Sequence, residues 1–77
     1  MELKSDFKTK DIGEAGFLVA HGLSLKGIEP AQGYKLFVFD EPRSVLFSQQ
    51  YWAGGLVNAR AFSLALRDLK DRLFRIG

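Results

Sequence analysis

Apolar and polar positions along the chain fall into a succession of distinct patterns. Ile12, Ala15, Gly16, Val19 and Ala20 share one face at helical spacing, and Phe17 and Leu18 widen that face. This predicts a first helix opening near Thr9. Thr9 or Asp11 can cap it, and Asp11 with Glu14 three residues on makes a capping box. Gly22 followed by Leu23 is the pattern of a helix stop. Gly13 and Gly16 each cost about 1 kcal/mol of helix propensity, so another element is expected to approach closely there. Leu23 to Lys26 then alternates and predicts a strand running on through Ile28, Glu29 to Gly33 supplies turn residues, and Tyr34 to Phe39 is a second strand of high β propensity. Together they make a hairpin with a five- or six-residue loop.

Asp40-Glu41-Pro42 reads as a cap with proline in the first turn of a second helix. That helix carries Val45, Leu46, Phe47, Tyr51 and Trp52 to about Ala53, and Gly54-Gly55 ends it. Asn58 caps the third helix, and Val57 with Phe62 forms a hydrophobic staple. Phe62, Leu66, Leu69, Leu73 and Ile76 make the cleanest apolar stripe in the chain. The order α-β-β-α-α places the protein in the α+β class, an antiparallel hairpin packed against helices. One domain is expected over residues 9–77. Residues 1–8, polar apart from Leu3 and Phe7, read as a flexible N-terminal arm.

A lone two-stranded hairpin is marginal, and the strand Leu36-Phe37-Val38-Phe39 is apolar on both faces. Cover for the second face could come from helices that wrap the hairpin or from the hairpin of a second copy. Leu36, Val38, Tyr51 and Trp52 are therefore candidate interface residues. Tyr and Trp are enriched at protein hot spots and also stack on bases, although a place in the core accounts for the pair as well.

At 77 residues and 47% hydrophobic, the chain is one small domain with a thin folding margin. The absence of cysteine excludes a disulfide scaffold and a thiolate-held metal. No apolar run approaches the roughly 18 residues of a membrane span, so no membrane partner and a cytoplasmic location are expected. The net charge is only +2 but unevenly placed: residues 1–41 hold five Lys against seven Asp and Glu, whereas all five Arg lie in the remainder. On the third helix Arg60, Arg67 and Asp71 share a sector opposite the apolar stripe, flanked by Lys70 and Arg75. Arg60, Arg67, Lys70 and Arg75 are thus the candidate phosphate-binding face, diluted by Asp68 and Asp71.

Catalytic chemistry finds no footing. His21 is the single histidine and sits in the last turn of the first helix, and Asp40-Glu41 is absorbed by helix capping. The serines lie in no nucleophile elbow, and the sequence has neither a GxxxxGK[ST] loop nor a GxGxxG turn. No catalytic residue, cofactor or metal is assigned.

Phe7-x-Thr9-Lys10-Asp11, Phe37-Val38-Phe39, Tyr51-Trp52, Ala59-Arg60-x-Phe62 and Ala65-Leu66-Arg67-x-Leu69-Lys70 together resemble a family of small bacterial proteins known only as a domain of unknown function. The resemblance implies a stand-alone bacterial protein and carries no activity or catalytic residue. The expectation is a non-enzymatic interaction domain that self-associates or binds a protein. The alternative is a nucleic-acid-binding module acting through the basic face of the last helix.

Overall fold

The structure, a computed structural model, describes residues 6–76 and the side chains of residues 6–75. The elements in order are β1 (Phe7–Thr9), α1 (Ile12–Ala20), β2 (Gly27–Ala31), β3 (Tyr34–Phe39), α2 (Ser44–Trp52) and α3 (Ala59–Ile76). The expected α-β-β-α-α order and α+β class are present, preceded by one strand that the sequence reading lacks. β1 and β2 flank β3 in an antiparallel sheet of order β1-β3-β2.

β1 corrects the expected arm at its last residues; residues 1–5 of that arm lie outside the described part. Phe-Lys-Thr is too short and too charged to announce a strand by pattern. Tertiary pairing holds it: Phe7 lies opposite Phe39, and their rings sit 6.5 Å apart in a tilted contact. The hairpin is also shifted from expectation. Leu23–Lys26 is not strand, β2 starts at Gly27, and only Gln32 and Gly33 separate Ala31 from Tyr34. Pro30 reads as a corner residue, yet it stands within β2 opposite Lys35. β2 is an edge strand, where an N–H can be spared.

Both ends of α1 follow local chemistry. The helix opens at Ile12 and not near Thr9, which belongs to β1, and Asp11 is the cap, its side chain accepting from the Glu14 backbone N–H at 2.9 Å. At the other end Gly22 takes φ 95°, its N–H reaches the Val19 carbonyl, and the Leu23 N–H reaches the Leu18 carbonyl. This is a Schellman stop with Leu18 and Leu23 both buried beneath it. α2 departs from expectation at its start: Arg43, with no side-chain capping bond, precedes Ser44, and Glu41 pairs with Arg43 instead of capping. α3 starts at the expected Asn58, which accepts from the Ala61 N–H at 2.9 Å.

Ala15, Phe17, Leu18, Leu23, Phe37, Phe39 and Leu69 form the core, with Phe47, Tyr51, Val57, Phe62 and Leu73 packed around it. α1 lies at the centre and packs against both α2 and α3. A Cβ on Gly16 would come within 2.8 Å of Leu66 Cδ2, so the missing side chain is what lets α3 close on α1.

Candidate functional site

Alternation along β3 sends Phe37 and Phe39 into the core and Leu36 and Val38 to the opposite face of the sheet. That second face is covered from within the chain. Lys8 lies across from Val38 on β1, Glu29 lies across from Leu36 on β2, and their side chains form a 3.0 Å ion pair that must pass over β3. Just ahead of β2 and β1, Lys26 and Asp6 make another ion pair at 3.0 Å, and hydrogen bonding to Asp6, together with its charge, raises the Lys26 pKa. Val38 is left 2% exposed. The candidate interface of Leu36, Val38, Tyr51 and Trp52 is therefore not one surface. Val38 is buried, Leu36 is half-buried on the sheet, Tyr51 is half-buried against α1, and only Trp52 is widely exposed, at 64%. β3 looked bare on one side because β1 and the charged strap above it were not visible as local patterns.

α2 carries the surface that the sequence reading passed over. Phe47 and Tyr51 turn inward: Tyr51 meets Phe17 at 5.5 Å, and Phe47 stacks on the His21 ring at 4.9 Å. Helical geometry then points Val45, Leu46, Gln49, Gln50, Trp52 and Ala53 outward. Val45 is 55% exposed and Leu46 52%, and Leu56 in the following loop is 90% exposed. No charged residue occurs from Ser44 to Ala59, a run that was legible in the sequence as a signal of its own. A helix that turns apolar side chains to more than one side is ordinarily covered on more than one. This one packs chiefly on α1.

The attachment of α2 converges on one buried carboxylate. Glu14, 5% exposed, accepts from Thr9 Oγ1 at 2.6 Å, from Trp52 Nε1 at 3.0 Å and from Ser48 Oγ. The bond directions are fixed. Thr9 Oγ1 accepts from the Asp11 N–H at 3.0 Å, so its own proton goes to Glu14, and an indole N–H can only donate. The capping box is thus closed through a threonine relay, which frees the Glu14 carboxylate to reach α2. Burial, reinforced by the nearby charges of Asp11 and Glu14, raises the Tyr51 phenol above its ordinary value of 10.0. His21 is a fastening as well. Its Nε2 lies 3.1 Å from the Leu56 carbonyl, to which it must donate, tying α1 to the loop after α2.

On α3, Arg60, Arg67, Lys70 and Arg75 are all exposed. Arg67 and Lys70 line one open depression with Ser63, Leu66, Asp71 and Phe74. Arg75 reaches the Asp71 carboxylate at 3.6 Å and borders a different hollow with Arg72, Leu25, Gly27 and Ile28. The basic candidates are therefore divided, with Arg67 and Lys70 beside the 88% exposed Phe74. Among the described residues there is no cluster of three or more His, Asp or Glu side chains suited to a metal ion, and no helix is long and apolar enough to cross a membrane. Comparison with models of protein families, with curated proteins and with solved structures returned no match to this chain.

Proposed function

We propose that this protein is a non-catalytic, cytoplasmic protein-interaction domain whose contact surface is the outer flank of α2. One observation carries the reading: Val45, Leu46 and Trp52 each stand more than half exposed on an uncharged helix, and Leu56 is exposed on the loop that follows. Clustered exposed apolar side chains on a small domain mark interaction surfaces. The polar groups nearby are engaged in the fold, apart from the Ser44 hydroxyl, which is without a partner among the described residues and fully buried. Ser48, Thr9 and the Trp52 indole are bound to Glu14, and His21 is bound to a carbonyl.

Leu46→Asp tests the reading, because it places a charge on the flank without touching the core. The variant is expected to keep the far-ultraviolet circular dichroism of the wild type. It should lose whatever associates with the domain, itself included, in sedimentation velocity and affinity co-purification. Unchanged association in both would overturn the proposal.

A second reading has its own observation. Arg67 and Lys70 form no ion pair among the described residues and flank the exposed Phe74, an arrangement suited to phosphates and an unstacked base. Binding of single-stranded RNA at about 50 mM salt that weakens on Arg67→Ala would favour it, since phosphate contacts are strongest at low salt.

A further inference from the structure

We infer that the occupant of the α2 flank is a second copy of this chain, docked α2 against α2 about a twofold axis beside Gln49; the inference rests on the interaction reading above and names its partner. The chemistry of the flank is self-complementary. A twofold contact sets each group against its own kind or a near neighbour, so any charge near the axis would meet a like charge. This flank has none. Its exposed polar side chains, Gln49 and Gln50, are carboxamides, each carrying both donors and an acceptor, so one copy can bond the other. A partner with a charged surface would find nothing on the flank to pair with. A lipid surface would look for the lysines and arginines of an interfacial helix, which the flank does not have.

The geometry also suits the pairing. In an antiparallel α2–α2 contact whose axis passes beside Gln49, midway between positions 48 and 49, residues equally far from the axis face each other across it. Trp52 of one copy then meets Val45 of the other, the largest apolar group against a smaller one. Trp52 is already held, because Glu14 grips its indole nitrogen at 3.0 Å while the ring stays 64% exposed. An anchor fixed before contact loses little freedom on binding. A nine-residue helix is only about 13 Å long, which makes a small interface, and association is expected at tens to hundreds of micromolar rather than nanomolar.

A charge-swap experiment at Gln49 decides the question. It uses sedimentation equilibrium of the full chain and the emission of Trp52, the one tryptophan. The wild type is expected to dimerise with a blue shift as concentration rises. Gln49→Lys and Gln49→Glu, each alone, should weaken dimerisation by about tenfold, and an equimolar mixture of the two should restore it. The same swaps at Gln32, in the β2–β3 turn, should have no effect. Because position 49 is exposed, both variants are expected to fold. A wild type that dimerises without responding to the Gln49 swaps overturns the twofold contact proposed here. A wild type that stays monomeric to about 500 µM, beyond the range expected for so small an interface, overturns the second copy. If the Leu46→Asp variant of such a monomer still loses a different protein partner, the interaction reading survives. If it loses nothing, both readings fall.

Discussion

Glu14 is the residue on which most depends. Its carboxylate accepts from β1 through Thr9 and from α2 through Ser48 and Trp52, and it forms no ion pair among the described residues. An ionised carboxylate is acceptor-only, which is why three donors can converge on it. Glu14→Gln keeps the shape but turns one of the two acceptor oxygens into a donor, facing either Thr9 or the Ser48–Trp52 pair. Urea unfolding is expected to register a loss of about 1–3 kcal/mol, the usual cost of a buried donor left unpaired. Where the amide nitrogen faces the Ser48–Trp52 pair, the indole N–H loses its acceptor and the emission of Trp52 shifts in the folded state. A loss below 0.5 kcal/mol, on the scale of an ordinary surface change, would mean that water or relaxation replaces the network. In sequence, Glu14 was legible only as the third residue of a capping box. Its reach into α2 was not, since Ser48 and Trp52 stand 34 and 38 residues away.

At the scale of elements, α2 is fastened chiefly to α1. Its inner side offers Phe47 and Tyr51 to α1, and the phenol of Tyr51 has its pKa raised chiefly by burial, then by Asp11 and Glu14. A raised folded-state pKa on an acid that is neutral when protonated has a definite sign. The stabilisation belongs to the protonated phenol; it is fully present below the ordinary value of 10.0 and fades as pH rises through the folded-state value. Thermal melts between about pH 8 and pH 11 should therefore show a loss of stability on the alkaline side that Tyr51→Phe reduces, in keeping with proton linkage. An alkaline limb of equal steepness in both proteins would refute the assignment. The helix caps at Asp11 and Asn58 and the stop at Gly22 were readable because each depends on residues within one turn. The strand limits of the hairpin were not. Pro30 and the alternation from Leu23 argued for one register, and edge position together with pairing to β3 decided another.

For the whole molecule, Leu69 marks where the layers meet. It comes from α3, is fully buried, and joins a core built from α1, β3 and the turn at Leu23. Leu69→Ala should cost about 2–5 kcal/mol, the range for emptying a buried leucine site. Against the few kilocalories of a domain this size, that loss should leave the variant largely unfolded at 37 °C by circular dichroism. A variant whose melting temperature falls by less than about 5 °C would show that the site collapses around the void. The stripe containing Leu69 was legible from sequence because α3 is long and strongly two-faced. The division of its basic residues between two hollows was not, because it depends on where β2 and the segment from Leu25 come to rest.

The sequence by itself determined the class, the order of the elements after β1, the end of α1 and the start of α3, and narrowed the cap of α1 to Thr9 or Asp11, since these rest on caps, stops and periodicities that act within a few residues. It also held the uncharged run from Ser44 to Ala59, whose meaning depended on which side of α2 would be covered. Tertiary structure alone decided that β1 joins the sheet, that the Lys8–Glu29 strap covers β3, and that Glu14 fastens α2. Each of those is a pairing between groups far apart in the chain, and no local pattern records it. The expected bare face of the hairpin is consequently closed within one chain, and the apolar side chains left exposed beside one another lie on α2.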